Sequence, residues 1–119
     1  MTPAAQADTY AKQALRFARF ARCTGKQLVR EFHAADRDGD FEALRDIRID
    51  GGSSLHKTVR DARRYAAEAA RHAREMRAYE RRCGRNTVNT PLWQEKAADA
   101  AVYAAKCAGY ARRVERSRP

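Results

Sequence analysis

The sequence has few of the residues that interrupt helices. Only three prolines and six glycines occur among its 119 residues. Chains rich in proline and glycine resist packing into a core, so this scarcity, together with a hydrophobic share of 44%, excludes a disordered chain. The composition favours an all-helical protein, and the length fits one domain over residues 1–119.

Cysteine and long apolar runs are also scarce. The three cysteines, Cys23, Cys83 and Cys107, form no C-x-x-C pair, which excludes a disulfide framework and a zinc ribbon and indicates a reducing compartment. No segment has the apolar run that spans a membrane, and the N-terminus lacks the basic and apolar regions of a secretory signal. We therefore expect a cytoplasmic protein with no membrane partner.

Acidic residues are outnumbered by basic ones. The chain has 25 Lys and Arg against 15 Asp and Glu, a formal net charge of +10. Such an excess favours a polyanionic partner such as nucleic acid, or an anionic membrane surface. The alternative is that abundant arginine and alanine only reflect the base composition of the source genome.

Small apolar residues, mostly alanine, recur in three stripes at alternating spacings of three and four. This spacing keeps them on one face of a helix. The stripes comprise Ala7, Ala11, Ala14, Ala18 and Ala21; Leu55, Val59, Ala62, Ala66, Ala69, Ala73, Met76 and Cys83; and Trp93, Ala97, Ala100, Ala104, Cys107, Ala111 and Val114. Because alanine buries little area, the helices must pack closely, and the seven-residue repeat predicts shallow packing angles.

The stripes and their flanking residues predict three long helices, at about 3–35, 54–83 and 91–116. Thr2–Pro3 and Thr90–Pro91 each pair a capping hydroxyl with a proline at the first helical position. Thr24–Gly25 is the weak point of the first helix, and a break there is the alternative, because a mid-helix glycine costs about 1 kcal/mol relative to alanine. The predicted fold is an all-α, antiparallel three-helix bundle of long Ala-rich helices.

The connection at 36–52 is acidic and differs from the rest of the chain. Asp38 or Asp40 can cap a short extra helix at about 40–49, which Gly51–Gly52 would end. The first five residues, 36–40, resemble the opening of an EF-hand calcium loop. The resemblance ends at Phe41 and Ile47, where that loop requires glycine and glutamate. We therefore predict a polar turn and no metal site; competition of this acidic segment with a ligand is a further alternative.

Basic residues form a ridge on the outer faces of the first two helices. The predicted nucleic-acid-binding residues are Lys12, Arg16, Arg19, Lys26, Arg30, Lys57, Arg60, Arg64, Arg71, Arg74, Arg81 and Arg85. Phosphates repeat along a nucleic-acid strand, so a long cationic ridge can follow them without reading bases. The alternative is a solvated outer face, partly neutralised by Asp61, Glu68 and Glu75.

The last helix is apolar nearly all round between residues 97 and 109. A helix of this kind needs cover on more than one side, so we predict a homo-oligomer. The predicted self-association residues are Ala98, Ala101, Val102, Ala105, Ala108 and Gly109. Cover from the short helix or from the first helix is the alternative.

Nothing in the sequence favours catalysis. His33, His56 and His72 include no pair spaced as metal ligands on one helix, and no nucleophile or phosphate-loop motif occurs. We predict no enzyme activity, no cofactor and no metal. The predicted function is phosphate-backbone binding to nucleic acid in an accessory or regulatory role. The alternative is a protein–protein adaptor or self-assembling module whose partner is an acidic or helical protein.

Overall fold

Three helices make up almost all of the chain that the computed structural model describes. They are α1 (Pro3–Arg37), α2 (Phe41–Cys83) and α3 (Thr90–Arg116). The description covers residues 3–83 and 90–116, without the side chains of residues 3, 4, 41, 44–56, 83, 90, 114 and 115. Within these ranges the chain is all-helical and has no strand, which confirms the predicted all-α class.

The first helix runs without a break through Thr24–Gly25. Thr24 Oγ1 donates to the carbonyl oxygen of Phe20 (2.9 Å), and Gly25 is buried against α3. A Cβ atom at Gly25 would lie 3.3 Å from the carbonyl oxygen of Tyr103. The glycine therefore lets α1 approach the α3 backbone closely, and the alternative of a break at this position was wrong.

The predicted separate helix at 40–49 was also wrong, because α2 continues from Phe41 to Cys83 through both adjacent glycines. Two mid-helix glycines cost about 2 kcal/mol in helix propensity. A break would instead leave backbone N–H and C=O groups on both sides without helical partners. Ser53 and Ser54 accordingly lie inside α2, so the helix start predicted at about residue 54 was wrong.

A three-residue turn joins α1 to α2. The N–H of Asp40 donates to the carbonyl of Ala35 (3.0 Å), the N–H of Gly39 donates to that of Asp36 (3.2 Å), and Gly39 has a φ of 62°. This is the Schellman pattern of a helix C-terminus, in which glycine takes the left-handed position. The Asp40 carboxylate then accepts from the N–H of Ala43 (2.9 Å) and caps α2.

The core is formed by the predicted stripes. Each alanine in them is at most 8% exposed, as are Val59, Met76 and Cys107. The first stripe continues in phase through Gly25, Leu28 and Phe32, which are also buried. Trp93, the first residue of the third stripe, is only half-buried, and the side chains of Leu55, Cys83 and Val114 lie outside the described residues.

Aromatic rings close the interface between α1 and α2. The ring of Phe17 lies 5.3 Å from that of Tyr65 and 5.8 Å from that of His72, centroid to centroid. Tyr10 contacts His72 and Phe20 contacts Tyr65. Residues with higher numbers on α1 thus contact residues with lower numbers on α2.

The molecule is a rod of 58 × 22 × 19 Å in which every pair of helices is in contact. Grooves open at the surface between α1 and α3 and between α2 and α3. Among the described residues, no helix carries an apolar stretch long enough to cross a bilayer.

Candidate nucleic-acid interface

The predicted basic residues lie on the surface. All those described are exposed: Lys12, Arg16, Arg19, Lys26, Arg30, Lys57, Arg60, Arg64, Arg71, Arg74 and Arg81. Arg85 lies outside the described residues. The exposed residues differ in whether a carboxylate lies beside them.

Two of these cations form exposed ion pairs within their own helix. Lys12 Nζ lies 3.0 Å from the Asp8 carboxylate, and an Arg64 nitrogen lies 3.9 Å from the Asp61 carboxylate. Exposed pairs of this kind contribute little to stability, about 0–1 kcal/mol. Their carboxylates nevertheless lower the local positive potential that a phosphate would encounter.

Arg71 is the most strongly paired cation of the ridge. Its Nε donates to Glu68 (3.2 Å), and another of its nitrogens lies 3.7 Å from Glu75. The hydrogen bond to Glu68, followed by the charge of that carboxylate, raises the pKa of the Arg71 guanidinium. The same two carboxylates lie 3.8 and 3.7 Å from the ring nitrogens of the buried His72, so they border the aromatic interface of α1 and α2.

The other ridge cations have no carboxylate within 4 Å among the described side chains. They are Arg16, Arg19, Lys26, Arg30, Lys57, Arg60, Arg74 and Arg81. Their charges are therefore available to an anion from solvent.

Four cations of α1, Arg19, Arg22, Lys26 and Arg30, lie beside α3, which the one-dimensional pattern did not indicate. A groove of about 440 Å³ between the two helices contains Lys26 and Arg30 from α1 and Lys106 from α3. Its other lining residues are Gly25, Val29, Tyr103 and Tyr110. We call this groove and its continuation, described next, the α1/α3 groove.

The continuation extends the groove toward the N-terminal half of α1. Its volume is about 170 Å³, and it shares Tyr103 with the first part. The residues lining it are Leu15, Ala18, Arg19, Arg22, Lys96, Asp99 and Tyr103. Asp99 is the one carboxylate among the side chains that line either part, so positive charge dominates the whole groove.

Cations surround the tyrosine rings of the α1/α3 groove. Lys106 Nζ and Arg22 Cζ lie 5.4 and 5.6 Å from the ring centroid of Tyr103, within the range of cation–π contact. The Tyr110 hydroxyl lies 3.4 Å from Nε2 of His33 and is thereby held toward α1. The groove therefore combines cations with aromatic faces.

Three cations of this groove were missing from the sequence prediction: Arg22, Lys96 and Lys106. A signal for two of them was present on α3. Lys96, Tyr103, Lys106 and Tyr110 are seven, three and four residues apart, a spacing that places them on one flank of the helix. Which neighbour this flank would face could not be read from α3 alone.

The predicted self-association surface lies on α3, and three of its residues, Ala101, Ala105 and Ala108, line a groove between α2 and α3. Ala98, Ala101, Val102 and Ala105 are exposed, Val102 by 52%, and Gly109 is half-buried. Ala108 is 5% exposed and belongs to the chain's own core, so it is not available to a second copy.

A second groove, of about 340 Å³, runs beside this surface between α2 and α3. It is lined by Arg63, Ala66, Ala101, Ala104, Ala105, Ala108 and Arg112. The short helix proposed as an alternative cover does not exist as a separate element.

The EF-hand-like segment is a turn and a cap, as the geometry of Gly39 and Asp40 shows. Across the described residues there is no group of three or more His, Cys, Asp or Glu side chains that could hold a metal ion. Two buried ring nitrogens of the described residues lack a hydrogen-bond partner, Nδ1 of His72 and Nε1 of Trp93.

Comparison of the chain with known protein families, with curated proteins and with solved structures finds no match.

Proposed function

We propose that this protein binds nucleic acid through contacts with the phosphate backbone, in an accessory or regulatory role and without catalysis. The observation that carries the proposal is the exposure of eight ridge cations without a carboxylate beside them among the described side chains. A net charge of +10 on so small a chain adds a long-range attraction for polyanions.

Phosphate contacts have a measurable signature. Each phosphate that a cation neutralises releases condensed counterions, so log K falls with log salt by about 0.9 per contact on duplex DNA and about 0.7 on a single strand. Binding should therefore be strong at low salt, weaken steeply as salt rises, and depend little on base sequence.

Two triple variants test which cations act. The first replaces the unpaired Arg19, Lys26 and Arg30 with glutamine. The second is a matched control that replaces the paired Lys12, Arg64 and Arg71 with glutamine and therefore removes the same total charge. Binding is measured by fluorescence anisotropy over a salt series. In the first variant the slope of log K against log salt concentration should be smaller in magnitude by roughly 3, about one unit per lost phosphate contact.

The control variant should keep a slope close to that of the wild-type protein, because its three cations are already neutralised by neighbouring carboxylates. Equal slopes for the two variants would show that net charge alone governs binding. No binding of DNA or RNA by the wild-type protein at low salt would end the proposal.

We further propose that the three helices form an antiparallel bundle, as expected for long helices that follow one another along the chain. The ring contacts support this, because Tyr10 and Phe17 contact His72 whereas Phe20 contacts Tyr65. Contacts of Gly25 with Tyr103 and of Phe32 with Tyr110 support a parallel course for α1 and α3. The cytoplasmic location and the homo-oligomer stay predictions.

The exposed apolar surface on α3 favours a second candidate function, that of a self-assembling or adaptor module. Val102 is 52% exposed and has exposed alanines on both sides along the helix. Small side chains permit close approach of a second helix. Light scattering at increasing concentration should show a dimer that Val102→Glu dissociates. If the protein is an adaptor, a pull-down should instead recover one stoichiometric protein partner, whether or not nuclease is present.

A further inference from the structure

We propose that the α1/α3 groove binds single-stranded nucleic acid, with phosphates on its cations and a base against the ring of Tyr103. This inference rests on the proposed nucleic-acid function and adds the class of strand and the place where it binds. The cations concerned are Arg22, Lys26, Arg30 and Lys106.

The chemistry of the groove matches that of a nucleotide. A nucleotide carries an anion and a flat, polarisable base a few bonds apart. Around Tyr103, two cations lie within 5.6 Å of the ring centroid, and Lys26 and Arg30 line the same groove from α1. Single-strand-binding proteins combine these two elements, a cationic groove for the backbone and aromatic side chains for the bases.

The shape of the groove selects against a duplex. Tyr103 is half-buried between two helices, so its ring can be reached only by a group that enters the groove. The bases of a duplex are paired and stacked inside the helix and cannot enter. The volume of about 440 Å³ lies within the range of small-molecule sites, about 300–1,000 Å³, so an unstacked base has room.

The length of the groove suits a strand rather than a free nucleotide. Its α1 cations extend from Arg19 to Arg30, which at 1.5 Å per residue is roughly 16 Å of helix. Consecutive phosphates on one strand of a duplex are separated by about 3.4 Å along the axis. More than one phosphate can therefore lie along the groove at once.

The α1/α2 interface offers a built-in comparison. Arg64 Cζ lies 5.2 Å from the ring centroid of Tyr65, so this tyrosine also carries a cation. The carboxylates of Asp61 and Glu68 lie on the same border of α2, beside Arg64 and Arg71. They would repel a phosphate, so Tyr65 has the ring and the cation without the positive surroundings.

The experiment compares three labelled ligands with the full chain at one low salt concentration. They are a single-stranded oligonucleotide, an abasic oligomer of the same length and the corresponding duplex. The wild-type protein should bind the single strand about tenfold more tightly than the abasic oligomer, the range expected when one base stacks on a ring. It should also prefer the single strand to the duplex.

Tyr103→Leu should abolish the base-dependent preference, so that the affinity for the single strand falls to that for the abasic oligomer, because the ring is lost while the cations of the groove remain. The matched control Tyr65→Leu should keep the preference. Circular dichroism checks the fold of both variants. Should Tyr103→Leu not fold, photocrosslinking of a 4-thiouracil oligonucleotide to the wild-type protein gives an independent answer, with adducts expected in the peptide that contains Tyr103.

The outcomes separate the two proposals. Equal affinity for the single strand and the abasic oligomer, preference for the duplex, or adducts confined to other peptides would overturn the groove proposal while phosphate binding stood. Binding of none of the three ligands would overturn the proposed function itself.

Discussion

Replacing each of two helical glycines by alanine tests whether Gly25 is there for close packing. Gly25 in α1 and Gly109 in α3 are both inside helices, so Gly→Ala gains about 1 kcal/mol of helix propensity at either position. Their surroundings differ. A Cβ atom at Gly25 would meet the Tyr103 carbonyl oxygen at 3.3 Å and its Cβ at 3.7 Å, whereas at Gly109 the nearest atom is a terminal nitrogen of Arg112 at 4.0 Å.

The two variants should therefore change stability in opposite directions. At Gly25 the nearest atom belongs to the backbone of α3, which can yield only if the helices move apart, and overpacking of this kind costs about 1–3 kcal/mol. Subtracting the propensity gain leaves Gly25→Ala about 1 kcal/mol less stable than wild type. At Gly109 the flexible Arg112 side chain can move, so Gly109→Ala should be about 1 kcal/mol more stable.

The assay is thermal and urea unfolding followed by circular dichroism. A difference of about 2 kcal/mol between the variants corresponds to roughly 8 °C in Tm for a domain of this size. Because Gly109 belongs to the predicted self-association surface, the measurement should be repeated at two protein concentrations. A Gly25→Ala protein as stable as Gly109→Ala would show that the approach of α1 to α3 does not require glycine.

Three further predictions concern the turn, the thiols and the ring interface. Gly39→Ala should lower stability by about 1 kcal/mol in the same unfolding assay, because its φ of 62° is strained for any residue with a Cβ; an unchanged midpoint would show that the turn relaxes. Burial raises the pKa of the Cys107 thiol, so at neutral pH it should react with iodoacetamide far more slowly than the exposed Cys23, as peptide mass spectrometry would show. Similar rates would mean that α3 opens readily. Phe17→Ala should cost about 3 kcal/mol, because its ring packs on both Tyr65 and His72; urea unfolding measures this, and a loss below 1 kcal/mol would make the ring interface peripheral.

Periodicity determined the long helices and the core. Each alanine of a stripe buries only a small area. Because the spacing of three and four repeats over many turns, however, each helix has a single face of small apolar side chains through which it can pack. Every alanine of the three predicted stripes is accordingly buried, from Ala7 to Ala111, whereas Trp93 is only half-buried and Ala108, predicted for self-association, belongs to the core. The cap at Asp40 was one of the two predicted, because a carboxylate just before a helix can accept from the free N–H groups of its first turn.

Local signals failed where they competed with helix continuity. Gly51–Gly52 was interpreted as a helix end and Gly25 as a weak point with a break as the alternative, and the chain continues through all three as helix. Glycine lowers helix propensity, but it also permits close packing, and only the position of the neighbouring helix shows which effect dominates. The 3.3 Å separation between Gly25 and the Tyr103 carbonyl is a property of two helices together.

The sequence by itself determined that the chain is helical, basic and packed through small residues, because these follow from composition and from the angle between successive side chains. Tertiary structure alone decided which cations share a surface. Lys26 and Arg30 adjoin Lys106 and Tyr103, more than seventy positions away, while Arg71 adjoins two carboxylates within its own helix. The interaction between two charges depends on their distance in space. In a bundle, the distance between charges on different helices is determined by which helix packs on which flank of its neighbour.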